Sequence, residues 1–236
     1  MRIHYDLPGM ALNDYLQGNR QVKIKLHSPD FEEDEIDVSW YFRKYEMMPE
    51  IEKKALGLCH GKILDVGAGA GSHTLHLQKQ GKEVTGLDIS GGACEIMRMR
   101  GINTIIQKDF FDYRDEKYDT ILMLMNGIGI TGSIENLSKY LDSLPGILEP
   151  GGQLLFDSTN LIYLYQNSSG GADIDLNTDY YGQVKFRMEY NDFFTEQFSW
   201  LYIDFDTLAG MAEEKGLIPE FLMEGENYHY LARIRI

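Results

Sequence analysis

The sequence predicts an α/β fold on a mostly parallel sheet, and three features carry that expectation. Residues 62–90, K-I-L-D-V-G-A-G-A-G-S-H-T-L-H-L-Q-K-Q-G-K-E-V-T-G-L-D-I-S, read as one βαβ unit. A buried strand at Ile63, Leu64 and Val66 leads into a glycine turn at Gly67, Gly69 and Gly71, then a short helix with Leu75 and Leu77, then a second strand 84–87 that closes on Asp88. Residues 120–125 form the apolar run that a strand buried on both faces needs. A helical stretch 135–144 followed by a strand 153–157 continues the alternation. In such a sheet, strand ends and helix amino ends converge on a crevice, so the glycine turn marks the place where a ligand is expected.

Ahead of that unit, residues 10–16 allow a helical turn or two. Val22, Ile24 and Leu26 alternate with Lys23 and Lys25 as in a half-exposed strand, and 30–37 reads as a solvated acidic loop. From Ser39 the pattern turns helical: Tyr41 and Tyr45 are four apart, and Trp40, Lys44 and Met47 run along a neighbouring stripe. Pro49 suits the first turn of another helix, with Ile51, Ala55 and Leu58 facing inward and an end near Gly61.

The glycine turn separates two ligand classes. A dinucleotide loop wants G-x-G-x-x-G, with a third glycine where helix meets strand. Counted from Gly67, that sixth position is Ser72, and the spacing here is G-x-G-x-G with Asp65 two residues ahead. A carboxylate beside the loop repels phosphate and suits a cationic ligand. Glycines fit because they accept positive φ and have no β-carbon to hold a ligand off the backbone.

Beyond the unit, a third strand is expected at 102–106, and the fourth, at 120–125, ends in Asn126-Gly127. Residues 158–182, with S-S-G-G and the pair Tyr180-Tyr181, have no clear period, as lids and acceptor sites often do not. Strands 184–190 and 198–202 read as a hairpin across 191–196. A helix 205–215 with Gly216 as its C-cap follows, then two last strands, 219–224 and 229–236.

One α/β domain with an amino-terminal extension accounts for 236 residues. Lys and Arg number 22 against 37 Asp and Glu, a net charge of −15. A field of that sign opposes nucleic acid and anionic membranes in the absence of a basic patch, and none is found. Two cysteines, Cys59 and Cys94, are too few for a disulfide framework and fit a reducing cytoplasm. There is no apolar run of membrane-spanning length, and M-R-I-H-Y-D-L does not read as a signal peptide, so a cytoplasmic protein is expected. His73 and His76 lie three apart with no third ligand in range, which makes them helix-surface residues and predicts no metal site. His229, between two tyrosines, suits a structural role as well as a catalytic one.

D-V-G-A-G-A-G followed by G-L-D-I-S resembles motif I and its partner in the class I S-adenosylmethionine-dependent methyltransferases. The resemblance continues through Lys108-Asp109-Phe110, strand 118–126 and Glu149-Pro150-Gly151-Gly152, in the family's order. It implies a Rossmann-like, seven-stranded, mostly parallel sheet with an antiparallel last strand and helices on both faces. Residues 1–55 would be an amino-terminal extension with a lid helix, and 56–236 the methyltransferase domain, in which an inserted loop and hairpin, 158–203, cap the acceptor.

The resemblance also implies roles. Gly67, Ala68, Gly69 and Gly71 would let the backbone approach the amino-acid portion of S-adenosylmethionine, and Asp65 would anchor its amino group directly or through water. Asp88 would accept both ribose hydroxyls, one carboxylate offering two acceptor oxygens. Ile89 would lie against adenine, Asp109 would take the adenine amino group, and Phe110 would sit beside the ring. Met125 and Asn126 would line the sulfonium, and Tyr41, Arg43 or Tyr45 would reach the methionine carboxylate or the acceptor, an arginine fork matching a carboxylate. Candidates for a catalytic role are Asn126, Tyr41 and Tyr181, and Trp40, Tyr163 and Trp200 join them around the acceptor.

The chain has N-G-I-G where base-amine methyltransferases resemble one another in carrying D/N-P-P-Y/F/W, which with the acidic charge argues against a nucleic-acid substrate. The reaction expected is in-line methyl transfer to an oxygen or nitrogen of a small molecule by a monomer or homodimer. Two other readings are a non-catalytic S-adenosylmethionine-binding subunit and a nicotinamide-dependent oxidoreductase, the latter opposed by Ser72.

Overall fold

The computed structural model describes residues 5–167, 171–174 and 179–236. Residues 1–4 of the amino terminus and most of the S-S-G-G stretch lie outside the described residues. In chain order the elements are α1 (Leu7–Leu16), β1 (Lys23–His27), β2 (Asp34–Asp37), α2 (Glu50–Leu58), β3 (Lys62–Val66), α3 (Ser72–Lys79), β4 (Glu83–Asp88) and α4 (Gly91–Met99). There follow β5 (Ile105–Gln107), β6 (Tyr118–Met123), α5 (Ile134–Ile147), β7 (Leu148–Thr159), β8 (Gln183–Tyr190), β9 (Phe193–Phe194) and β10 (Phe198–Leu201). Helix α6 (Phe205–Glu213) and strands β11 (Ile218–Glu224) and β12 (His229–Arg235) complete the chain.

The main sheet has seven strands in the order β11-β12-β7-β6-β3-β4-β5. Pairs β3-β4, β4-β5 and β6-β7 are parallel, and β12 is antiparallel to both β7 and β11. The expected mostly parallel sheet with a reversed last strand is therefore present. A smaller sheet runs β10-β8-β1-β2 with β9 paired to β8. The chain divides into two units, residues 1–49, 60–115 and 185–198 in the first and 50–59, 116–184 and 199–236 in the second.

In the first unit, the apolar strand β3 pairs with β4 from Lys62↔Glu83 to Val66↔Leu87. Leu7, Leu12, Val22, Ile24, Val38 and Ile96 form a buried cluster, each such side chain contributing about 1.5–3 kcal/mol. Helix α1 begins at Asp6, whose Oδ1 accepts from Gly9 N at 3.0 Å, an ordinary N-cap.

The acidic stretch 30–37 differs from the expected loop. Its end is β2, paired antiparallel to β1 with Ile24↔Ile36, and Lys23 meets Glu35 at 2.6 Å. Cross-strand charge pairs and the apolar Ile36 favour a strand that net acidity alone disguised. Strand β1 also pairs with β8, Lys25 opposite Glu189, and β8 returns through Asn191 and Asp192 at φ 49 and 62°. Two consecutive positive φ values in a two-residue loop make a type I′ hairpin.

The single helix expected from Ser39 is two short 3-10 turns, Val38–Phe42 and Tyr45–Met47, with extended Arg43 and Lys44 between them. The reason is local: the Tyr41 carbonyl, which an α-helix would give to residue 45, accepts from Ser72 Oγ at 2.6 Å. Trp40 and Met47 are 55% and 69% exposed, so that stripe is no core face.

The second unit holds β6, β7, β12 and β11 of the main sheet. Helix α5 starts at Ser133, which caps Asn136 N at 3.2 Å, and buries Leu137, Tyr140, Leu141, Leu144 and Ile147. In α2, Ile51 and Ala55 are buried as expected, but Leu56 is the deeply buried leucine and Leu58 only partly so. Helix α6 ends at Gly216, φ 73°, where Gly216 N donates to Glu213 O and Leu217 N to Ala212 O. Two strands are shorter than their apolar runs: β6 stops at Met123, and β5 begins at Ile105 because Ile102 packs with Cys94 and Met97 instead. No helix among the described residues is long and apolar enough to cross a membrane.

Candidate functional site

The glycine turn of the first unit is built by its backbone. Gly67, Gly69 and Gly71 have φ of 68, 56 and 76°. A Cβ on Gly71 would come within 2.2 Å of Ile102 Cδ1, so this position needs glycine for space as well as for conformation. Gly67 N and Ala68 N both donate to Leu87 O, at 2.9 and 3.1 Å, tying the turn to the end of β4.

Asp88 closes that end. Its Oδ2 accepts from Gly69 N at 2.8 Å and its Oδ1 from Ser90 N at 2.9 Å. Each oxygen keeps a further lone-pair direction, so two more donors can be received. Burial pushes the Asp88 carboxyl above the usual carboxylate range, opposed by the two backbone donors and reinforced by Asp6 and Asp65. Asp6 reaches the same region, its Oδ2 accepting from Ser90 Oγ and Gly92 N, each at 2.8 Å.

Tyr41 covers the turn: a Cβ on Gly69 would lie 3.1 Å from Tyr41 Cδ1. Burial raises the Tyr41 phenol and the Asp88 carboxylate raises it further. Arg100 locks this arrangement, donating through Nη1 to Ala70 O and, at 3.3 Å, to Ser72 Oγ. Arg100 was not legible in the sequence, since it stands at the end of α4 with no spacing that ties it to the turn.

The remaining predicted residues of this unit fall in different surroundings. Asp65 is buried at 2% exposure and accepts from Thr74 Oγ1 at 2.5 Å. Burial raises its carboxyl, while His73 beside it acts in the opposite direction. Ile89 is 64% exposed, an isoleucine presented to the outside directly after Asp88. Asp109 caps a 3-10 turn by accepting from Phe111 N at 2.9 Å, and Phe110 is buried against Phe111. Arg43 turns to Trp40, its Nε donating to Trp40 O at 3.0 Å.

The two helix histidines are not the surface residues expected. His73 is buried, and His76 stacks on Tyr45 with ring centres 4.1 Å apart, because the turn at Tyr45–Met47 packs on α3. Among the described residues no cluster of His, Cys, Asp and Glu could hold a metal ion.

The second unit carries the turn after β6. Met125 and Asn126 have φ of 66 and 55°, unusual for residues with side chains, and Asp157 at the end of β7 holds them there. Asp157 is fully buried; its Oδ2 accepts from Met125 N at 3.1 Å and its Oδ1 from Gly127 N at 3.4 Å. The same Oδ2 meets His229 Nε2 at 2.8 Å. Thr159 Oγ1 donates to Asn126 Oδ1 at 2.9 Å, leaving the Asn126 amide hydrogens available. Asp157 carries no signal in the sequence, since nothing in a strand-end aspartate announces partners 32 and 72 residues away.

The tyrosine pair converges on one carboxylate. Tyr180 OH donates to Asp204 Oδ2 at 2.5 Å, and Tyr181 OH lies 2.8 Å from Asn160 Oδ1 and 3.2 Å from Asp204 Oδ2. Burial pushes the Tyr181 phenol up to about 12. Tyr163 stacks on Tyr228 at 5.1 Å, and Trp200 packs against Gly129, where a Cβ would lie 2.0 Å from its Nε1. The glycines of N-G-I-G thus include one required for close packing. A cavity of about 410 Å³ opens beside these groups, lined by Asn160, Asp204, Asp206, Glu224 and His229 together with aromatic rings.

Residues 39–217 match the family model of a methyltransferase domain. The chain belongs to that family, as a class I S-adenosylmethionine-dependent methyltransferase domain. An S-adenosylmethionine-dependent methyltransferase from Bacteroides fragilis, solved in complex with S-adenosylhomocysteine, is 42% identical with a TM-score of 0.91, over 99% of this chain and 96% of its own. A demethylmenaquinone methyltransferase of Tropheryma whipplei is 32% identical over 108 residues, 43% of this chain and 44% of its own. A ubiquinone biosynthesis O-methyltransferase of Proteus mirabilis is 27% identical over 114 residues, 47% and 46% of the two chains. The chain thus spans less than half the length of these two curated relatives.

Proposed function

We propose that this protein transfers the methyl group of S-adenosylmethionine, by in-line displacement, to an oxygen or nitrogen of a small molecule. The observation that carries the reading is the Asp88 carboxylate, bound to Gly69 N and Ser90 N with a lone pair left on each oxygen. Two adjacent hydroxyls of a ribose are the donors that such a carboxylate accepts. Support also comes from the positive-φ glycines, which keep β-carbons out of the turn, and from the protein of known cofactor that matches nearly the whole chain.

In this reading Gly67, Ala68, Gly69 and Gly71 offer backbone to the amino-acid portion of the cofactor, with Tyr41 and Arg100 fixing the turn's shape. Asp65, buried on Thr74, contributes negative potential more than direct contact. Exposed Ile89 lies against the adenine, with Asp109 and Phe110 at its edge, and Met125 and Asn126 line the methyl donor. The sulfonium supplies a methyl already activated for displacement; the chain's own residues orient the reactants and exclude water, effects that reach roughly 7–11 kcal/mol in well-aligned systems. Residues 1–55 act as the extension and 158–203 as the acceptor cap of the domain 56–236. The net charge of −15 and the two buried cysteines, neither in a disulfide, fit a small-molecule acceptor and a reducing cytoplasm.

Calorimetric titration with S-adenosylmethionine and, separately, S-adenosylhomocysteine tests the cofactor. Micromolar binding of both is expected, and binding of neither sinks the reading. Methyl incorporation from labelled S-adenosylmethionine into a small-metabolite extract then separates an enzyme from a subunit that only binds.

A further inference from the structure

Asp157 and His229 have no part in the cofactor assignments above, yet their geometry is specific. The fully buried Asp157 carboxylate, already receiving Met125 N and Gly127 N, lies 2.8 Å from His229 Nε2. Paired with an acceptor-only group, Nε2 carries the proton and Nδ1 is the ring's free acceptor. The ring is 26% exposed and lines the cavity. A histidine held in one tautomer by a buried carboxylate and lining a cavity is arranged to receive a proton.

The cavity supplies the chemical class of what gives that proton. Its volume of about 410 Å³ falls within the range of small-molecule sites, roughly 300–1,000 Å³. Asp206 and Glu224 stand exposed at it, Asp204 lies deeper with its Oδ2 engaged by Tyr180, and Phe221 and Tyr228 present half-exposed rings. No lysine or arginine is among the described lining residues. Carboxylates combined with aromatic faces favour a cation and disfavour an anion.

We propose that this cavity takes a primary or secondary amine, bound as its ammonium ion, and that His229, oriented by Asp157, removes the proton that masks the nitrogen lone pair. The proposal deepens the methyltransferase reading and rests on it. One N–H bond breaks, and its proton passes to His229 Nδ1. The freed lone pair forms the N–C bond to the methyl group as the C–S bond breaks, and that bond's electron pair stays on sulfur, giving S-adenosylhomocysteine and a methylated ammonium.

The test uses the full chain saturated with S-adenosylhomocysteine and three probes of one shape: benzylamine, benzyl alcohol and benzoate. In an NMR titration at neutral pH, benzylamine should shift the amide signals of Tyr228, His229 and Tyr230 and bind at least about tenfold more tightly than the other two. The Asp206→Asn, Glu224→Gln double variant should lose that preference. Equal affinity for the three probes, or shifts confined elsewhere, would overturn the cavity assignment.

Transfer from labelled S-adenosylmethionine to benzylamine reads the proton step. His229→Gln should lower kcat by about 100-fold or more, with the affinities for benzylamine and S-adenosylhomocysteine unchanged. A rate within twofold of the unaltered protein, or no transfer to benzylamine by that protein, overturns the proposal. Failure to bind S-adenosylhomocysteine at all would instead strike the cofactor reading, so the two failures are distinguishable. Asp157→Asn is a second, more severe variant, and His229→Gln keeps the test decisive should it not fold.

Discussion

Asp88 and Asp157 perform the same local task in the two units and teach different things. Each stands at a strand end, and each accepts two backbone N–H groups on separate oxygens, Gly69 and Ser90 for the one, Met125 and Gly127 for the other. Asp88 holds a turn of glycines, which are at ease with positive φ, and remains partly exposed. Asp157 is fully buried and holds two residues with side chains in that same region of φ. The first carboxylate therefore shapes a site whose backbone needs little holding, whereas the second maintains backbone strain of about 1–3 kcal/mol per residue.

The largest effect expected from breaking this pair is on stability at Asp157. Asp157→Ala leaves two backbone N–H groups and His229 without their acceptor, and should cost on the order of 3 kcal/mol in urea unfolding. A loss below about 1 kcal/mol would mean that water replaces the carboxylate and that the contrast with Asp88 is false.

Asp88→Ala should do the reverse. Stability should change little, but S-adenosylmethionine affinity should fall by about 30-fold, close to 2 kcal/mol for lost hydrogen bonds to a charged group. Near-normal affinity in calorimetry would remove Asp88 from the ribose.

A third carboxylate sharpens the comparison through pH. Burial raises the Asp65 carboxyl above its ordinary 3.8, so the folded state holds that proton more strongly than the unfolded chain. This group's contribution to stability thus falls as pH rises through the window from 3.8 to the raised folded value. Asp65→Asn, which keeps an acceptor for Thr74, should raise the urea midpoint at pH 7 relative to the unaltered chain, and the gain should shrink at pH 4. A lower midpoint at pH 7 would show that His73 outweighs burial.

The smallest effect belongs to an exposed carboxylate that holds no backbone. Glu220 meets Arg233 Nη2 at 2.6 Å, and the guanidinium lowers its carboxyl below 4.5. Its stabilisation is present above that value and fades as pH falls through the folded one. Glu220→Gln should shift stability at pH 7 by no more than about 0.5 kcal/mol. A larger loss would mean that surface pairing matters here as much as burial.

The same contrast explains what was legible in the sequence. The glycine turn could be read because its parts, Asp65 to Asp88, are contiguous and their spacing is fixed by one strand, one turn and one helix. The β6 turn could be read only halfway. The apolar run announced a strand, but Met125 and Asn126 carry no signal of positive φ, and their restraint comes from Asp157 in another strand. His229 looked ambiguous between two tyrosines, and only the register Leu231↔Asp157 and its neighbours sets it beside the buried carboxylate. The segment from Ser39 misled for a related reason. Helical spacing was present, but the carbonyl of Tyr41 had a better donor in Ser72, 31 residues later.

The pairing of β1 with β8 also bears on how the chain is made. His27 and Glu189, which meet at 2.6 Å, are 162 residues apart, and at about 5–20 residues per second a ribosome separates their emergence by roughly 8–30 s. For that interval the strand partner of β1 among the described residues is β2 alone, a two-stranded ribbon that is marginal without further strands. The amino-terminal strand must wait, partly formed, for a partner not yet synthesised, and any chaperone that attends this chain during translation would find its exposed edge there.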